Sequence, residues 1–241
     1  MTISKSFMYG ADRFEYEIAY VPVKHSKISI HVYPDCSVRV DAPEERTLSE
    51  IHQAMLKRAR WIKQHVEGFR RQHEQALPRD YVSGECLFYL WRRYQLKVRQ
   101  GSNAGVKMLR GQICVETPSR AAEDVKELLS AWYRTRAGEV FARRFDVVTQ
   151  EATWLRKQPA WRMVRMKTQW GSCSPNGTIL LNPHLIKAPR ECIDYVISHE
   201  VCHLREHNHS PRYYRLLSTL MPHWEAVKGR LDGMAELLLN E

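Results

Sequence analysis

The segment that most constrains the fold is IDYVISHEVCHLRE (193–206), an apolar helical pattern that contains a His-Glu-x-x-His sequence. Pro189 suits the first turn of this helix, because proline lacks the N–H that a first turn leaves unpaired. His199 and His203 then lie one turn apart on one face, so both imidazoles can bind one ion. Glu200 is adjacent and can reach a water on that ion. Chance would produce roughly 0.04 such sequences in a chain of this composition, so we predict a metal-binding helix.

A third metal ligand is expected just after this helix. His209 follows the predicted helix end, and Ser210-Pro211 is typical of the N-cap and first position of a further helix. Glu206 and His207 are alternatives, but three ligands in one helical row give poor tetrahedral geometry. Three protein ligands leave a fourth position for water, as in catalytic zinc sites. Imidazole ligands favour Zn²⁺, with Ni²⁺, Mn²⁺ or Co²⁺ as substitutes.

The region before this motif alternates between strand-like and helix-like patterns. Residues 14–42 alternate apolar and polar side chains between turn signals, which predicts a small antiparallel meander. Residues 47–76 change to helical spacing and predict one amphipathic helix with a basic outer face. Residues 81–117 predict short strands, and residues 119–150 predict a second helix. No internal repeat is evident, and the predicted fold class is α+β.

The C-terminal third completes the predicted organisation. WRMVRMKTQW (161–170) alternates as a strand, GSCSPNG (171–177) is turn-like and TILLN (178–182) is a second strand. We therefore expect an N-terminal β-rich region with a basic amphipathic helix at 1–118. We expect a helical, zinc-binding catalytic domain at 119–241, unless the two form one continuous compact unit.

The positive charge of the chain is concentrated in its middle. The formal net charge is +10, and residues 46–120 contain 15 basic and 6 acidic residues. A basic surface attracts anions such as a nucleotide or a nucleic acid, although a solvated helix face is the simpler interpretation. No P-loop sequence accompanies this charge.

The cysteines and the apolar segments exclude several classes of protein. The six cysteines contain no CxxC pair, which predicts reduced thiols and a cytoplasmic location. No apolar run approaches the roughly 20 residues that a membrane-spanning helix needs. A membrane protein and a disulfide scaffold are therefore both disfavoured.

Residues 170–214 resemble the YgjP-like metallopeptidase domain family, a group of SprT-like, zinc-dependent hydrolases. The resemblance rests on WGSCS, LN, HEVCH and NHSP in this order, and it extends more loosely through the N-terminal strands and helix. It implies a compact, zincin-like fold. It also implies a zinc site formed by His199, His203 and His209, with Glu200 catalytic.

Three functions are compatible with these residues. The first is a zinc-dependent metallopeptidase in which Glu200 takes a proton from a water and returns it to the leaving group. Trp170, Tyr213 and Tyr214 are its candidate substrate-binding residues, and a peptide or protein substrate could pair with the strand that ends at Trp170. The second is a metal-dependent nucleotide phosphohydrolase. The third is a nucleic-acid-associated metalloprotein that binds through residues 46–120.

Overall fold

The computed structural model describes residues 2–21, 28–33, 35–75, 79–166 and 169–239. The chain divides into two compact units, Met1–Leu77 and Pro78–Glu241, each with its own hydrophobic core. We expected the boundary after residue 118. It lies earlier because the strands that precede this position share a core with the helices that follow it, as Leu96 and Phe141 do.

The first unit consists of a four-stranded sheet and two helices. Its elements are β1 (Thr2–Tyr9), β2 (Asp12–Val21), β3 (Ser29–Val32), β4 (Val38–Pro43), α1 (Leu48–Lys57) and α2 (Ala59–Gln75). The strand order is β1-β2-β4-β3, and β2 and β4 are parallel. The antiparallel meander predicted for residues 14–42 is therefore wrong. Strand β4 is central because Val38, Val40 and Ala42 are buried, whereas β3 is only partly buried.

The helix predicted for residues 47–76 is interrupted once. The N–H of Arg58 donates to the carbonyl of Met55, three residues back, and α2 then begins at the next residue. Ile51 and Ile62 are fully buried on either side of this break, so both helices contribute to the same core. The predicted amphipathic pattern is confirmed, but it belongs to two helices.

The second unit contains two further sheets and the remaining helices. Its first part is β5 (Cys86–Tyr89), β6 (Arg92–Gln100), β7 (Gly105–Leu109), β8 (Gln112–Thr117) and α3 (Ala122–Glu151). Its second part is β9 (Trp161–Met163), β10 (Gly171–Cys173), β11 (Ile179–Leu181), a 3-10 helix (Pro183–Lys187), α4 (Arg190–His203), α5 (Pro211–Leu220), α6 (Trp224–Asp232) and α7 (Ala235–Leu239). The mixture of helices and strands agrees with the predicted α+β class. Within the described part of the chain, no helix is both long and apolar enough to cross a membrane.

The sheet formed by β5 to β8 repeats the topology and register of the sheet in the first unit. Its strand order is β5-β6-β8-β7, with an antiparallel hairpin, a central parallel pair and an antiparallel edge pair. The equivalent partners are Tyr9–Asp12 and Tyr89–Arg92 in the hairpins, and Ile18–Val40 and Val98–Val115 in the parallel pairs. A helical segment follows each sheet. Our expectation that the chain lacks an internal repeat is therefore wrong.

The third sheet has the strand order β10-β11-β9, and two of its strands, β10 and β11, pack against the helix that carries the metal motif, α4. Of the strand predicted for residues 161–170, the structure describes only Trp161–Met163 as a strand, while residues 167–168 lie outside the described residues. Gly171–Cys173, predicted as a turn, is strand β10. The central strand β11 accounts for this arrangement, since it is buried and pairs with β9 on one side and β10 on the other.

Candidate metal centre

Helix α4 carries the His-Glu-x-x-His sequence and is buried along most of its length. It packs against α3, α5, α6 and β10. Its buried residues are Cys192, Ile193, Tyr195, Val196, Ile197, Ser198, Glu200, Val201 and Cys202. The four-residue spacing places His199 and His203 one turn apart, and the burial of the helix limits how far these two histidines can move.

His209 reaches the same point in space from the loop between α4 and α5. Helix α4 ends at His203, and Ser210 caps α5 by accepting a hydrogen bond at Oγ from the N–H of Tyr213. The Nε2 atom of His209 lies 3.1 Å from Nε2 of His199, and Nε2 of His203 lies 3.3 Å from the same atom. Among the described residues, these three histidines form the group that can hold a metal ion, without Glu206 or His207.

The spacing of these nitrogens fits a tetrahedral zinc ion. Bonds of about 2.05 Å at tetrahedral angles place two ligand nitrogens about 3.3 Å apart. The observed separations of 3.1 and 3.3 Å agree with this value. Nδ1 of His203 lies 3.2 Å from the main-chain oxygen of Glu206, so an N–H at Nδ1 donates to that carbonyl and leaves Nε2 to bind a metal. Burial also lowers the pKa of His203, which favours the neutral, metal-binding form.

Tyr213 lies beneath the three histidines. Its side chain is fully buried, and its hydroxyl donates to the main-chain oxygen of His199 over 3.1 Å. Its ring centre lies 4.7 Å from those of His203 and His209 and 5.3 Å from that of His199. We predicted a substrate contact for Tyr213. The structure buries its side chain and places its ring against the three histidines.

Glu200 is the buried carboxylate of the site. It is 5% exposed, and burial raises its pKa to about 8. A cation held by the three histidines would lower this pKa again, because nearby positive charge favours the carboxylate.

The other two predicted substrate-binding residues lie on different elements. Trp170 immediately precedes β10 and is partly buried against the core. Tyr214 is 40% exposed, and its ring stacks on His209 at 6.1 Å and on Trp224 at 5.2 Å. A groove lined by Tyr214, Trp224 and Arg215 therefore begins beside a predicted metal ligand.

Sequence reasoning missed two parts of this site. Trp224, the first residue of α6, has no motif around it, and only the fold shows that it stacks on Tyr214. Gly171 was predicted in a turn, although it lies on β10 in direct proximity to Glu200. Only the presence of a glycine in the WGSCS segment could have indicated the contact between Gly171 and Glu200.

Three histidine nitrogens converge on one point of an α+β scaffold and could hold a metal ion there, and the buried Glu200 follows the first of these histidines in the chain. The family described as "YgjP-like, metallopeptidase domain" matches residues 26–234, and the chain belongs to this family. The family supports a metal-dependent peptidase that acts on peptide or protein substrates.

The comparison with solved structures finds the crystal structure of the metallopeptidase zymogen of Pyrococcus abyssi abylysin. It is 21% identical, with a TM-score of 0.34, over 43% of this chain and 97% of that chain. No curated protein matches the chain.

Proposed function

We propose that this chain is a zinc-dependent metallopeptidase of the zincin-like, HExxH type. The observation that carries the proposal is the convergence of Nε2 of His199, His203 and His209 at tetrahedral spacing, with Glu200 one residue along the helix. Membership of a metallopeptidase family supports a peptide bond as the target.

The bound metal would supply positive charge that polarises the scissile carbonyl and lowers the pKa of the attacking water. Glu200 acts as the general base: it accepts a proton from that water and delivers it to the leaving amine. Its burial excludes bulk water from the carboxylate, so the proton it holds is kept for the leaving group. The ring of Tyr213 packs against the rings of the three histidines and restricts their movement.

The substrate is proposed to lie along β10. This strand is an edge of its sheet within the described residues, with β11 as its partner. An extended peptide can add to such an edge through main-chain hydrogen bonds. Trp170 would flank the peptide at one end of the strand. Tyr214 and Trp224 would contact a side chain in the groove beside His209.

The competing functions receive no support from the family. Its description names a metallopeptidase domain, and it does not name nucleotide hydrolysis or binding of nucleic acid, the function considered for residues 46–120. We also propose a reducing, cytoplasmic location, which rests on the cysteine pattern of the sequence, where no CxxC pair occurs.

The proposal is tested with the purified full-length protein. Elemental analysis should find about one zinc per chain, and a peptide library should reveal cleavage that a chelator abolishes and zinc restores. Glu200→Gln should keep the metal and lose cleavage by a factor of at least about 100, because it removes the general base. His203→Ala should lose both metal and cleavage.

His207→Ala is the matched control. This histidine is exposed and lies outside the metal-binding group, so its replacement should leave metal content and cleavage unchanged. Cleavage by Glu200→Gln at the wild-type rate would refute the assigned role. A zinc-loaded wild-type protein that cleaves no peptide would refute the proposed activity. If elemental analysis finds nickel, manganese or cobalt in the protein as purified, instead of zinc, the assignment of zinc is refuted.

A further inference from the structure

Gly171 lies closer to Glu200 than any residue with a side chain could. A Cβ atom built on Gly171 would lie 2.8 Å from Cγ of Glu200, 2.8 Å from its Oε1 and 2.8 Å from Cγ1 of Val196. Carbon atoms in packed proteins stay about 3.5–4.0 Å apart. Any side chain at this position would therefore displace a neighbour.

The position of Gly171 follows from the geometry of helix α4. Val196 and Glu200 are four residues apart, so their side chains are neighbours along one face of the helix. The position that a Cβ atom of Gly171 would occupy lies against both side chains. The main chain of β10 thus covers the carboxylate of Glu200, which agrees with the low exposure of this residue.

Strand β10 is paired with β11 and cannot easily move away from α4. Gly171 is paired with Leu181 of β11. The buried Asn182 donates from Nδ2 to the main-chain oxygens of Met166 at 2.7 Å and Gln169 at 3.0 Å, and from its N–H to that of Trp170 at 2.9 Å. The segment that leads into β10 is therefore fixed by three hydrogen bonds.

The backbone conformation does not explain why glycine stands here. Among the described glycines, Gly10, Gly84, Gly111 and Gly177 adopt the positive φ that favours this residue, whereas Gly171 does not. The requirement at Gly171 is consequently steric, and Glu200 is one of its two causes.

We propose that Gly171 is a positioning residue that sets where the Glu200 carboxylate lies relative to the metal. This inference rests on the proposed peptidase function. Since β10 is held by hydrogen bonds, the side chains of Val196 and Glu200 must yield to the added group, and of these two only Glu200 carries a carboxylate. A methyl group at position 171 would therefore rotate the carboxylate away from its present place, while the three histidines keep theirs.

The experiment replaces Gly171 with Ala in the full-length protein. A misplacement of about 1 Å can reduce the rate of a positioned reaction by about 100-fold. We expect Gly171→Ala to lower kcat by about this factor while KM and zinc content stay within about two-fold of wild type. A crystal structure of the metal-free variant should show the Glu200 carboxylate displaced by about 1 Å or more.

Two further variants separate this effect from general disruption. Gly138→Ala adds the same methyl group in the same unit, where its nearest neighbour is Cε of Met163 at an ordinary 3.5 Å, and should match wild type in kcat. The double variant Gly171→Ala/Val196→Ala removes the contact with Val196 and retains the one with Glu200. It should remain as slow as Gly171→Ala.

Each result decides the matter. Wild-type kcat in Gly171→Ala, loss of its zinc, or recovery in the double variant would overturn the inference. If wild type and Gly138→Ala fail to cleave any peptide, the proposed function fails, and the crystal structure decides the positioning claim alone. An unmoved Glu200 carboxylate in Gly171→Ala would then overturn it.

Discussion

Tyr213 offers a test of how the metal ligands are supported, because its ring and its hydroxyl can be removed separately. Tyr213→Phe removes the hydrogen bond from the hydroxyl to the main-chain oxygen of His199 and leaves the ring. Tyr213→Ala also removes the ring that contacts His203 and His209 at 4.7 Å between centres. The two variants thus separate a hydrogen bond from a packing contact.

The expected magnitudes follow from these contacts. A hydrogen bond between neutral groups contributes about 1 kcal/mol to the free energy of unfolding, which is the expected loss for Tyr213→Phe. Truncation of a fully buried aromatic residue costs about 3–5 kcal/mol, which is the expected loss for Tyr213→Ala. Loss of the groups that orient a metal ligand weakens metal affinity by about 10–100-fold, and we expect this for Tyr213→Ala alone.

Urea unfolding of chelator-treated protein measures the first two quantities, and competition with a chromophoric chelator measures zinc affinity. Zinc affinity of Tyr213→Ala equal to that of wild type would show that the ring does not support the histidines. A loss of affinity in Tyr213→Phe as large as in Tyr213→Ala would assign the support to the hydroxyl instead.

Two other predictions concern different parts of the second unit. Lys187 is buried and donates a hydrogen bond from Nζ to the main-chain oxygen of Leu238 at 2.9 Å. Burial lowers the pKa of Lys187 from 10.5 to about 7, and the positive charges of Arg79 and Arg165 make smaller contributions in the same direction. Between pH 7 and 10.5 the unfolded chain therefore binds the proton that the folded chain has lost, so the contribution of Lys187 to the free energy of unfolding should rise with pH, by about 3 kcal/mol from pH 7 to 9.5. In urea unfolding, the free energy of unfolding of wild type minus that of Lys187→Met should rise by this amount over the same pH range, and parallel pH profiles would contradict the assignment. Tyr214→Ala should raise KM about 10-fold for the peptides that wild type prefers, with little change in kcat, because it removes a contact in the groove and replaces none of the three histidines. Steady-state kinetics on the same peptides measures this change. An unchanged KM would show that the substrate does not use the groove.

The convergence of the three histidines could be predicted from the sequence because their geometry is local. The four-residue spacing of His199 and His203 on a helix fixes their separation, and the turn before Ser210 allows His209 to return to them. The contacts of Tyr213 and Gly171 with α4 could not be predicted in this way. Each depends on a contact between α4 and an element that approaches it from elsewhere in the chain, and residue types alone do not specify such a contact.

The fold shows the same division between local and long-range information. The strand pattern of residues 81–117 predicted β5 to β8, because alternation identifies which residues form strands. It did not predict the parallel pairs β2–β4 and β6–β8, since alternation carries no information about strand order. The repeat was not detected in the sequence because its two copies have the same strand pairing and a similar apolar pattern but share few identical residues.

The repeat also clarifies the relation between the basic region and the metal site. Residues 46–120 extend over the helices of the first copy and the strands of the second, so the excess charge belongs to the repeated elements. The segments from β9 onward have no counterpart in the described part of the first unit, and they carry His199, Glu200, His203 and His209. The excess basic residues and the candidate metal-site residues therefore lie in different segments of the chain. The proton transfer proposed for Glu200 depends on α4, β10 and the loop that carries His209, none of which belongs to the basic region.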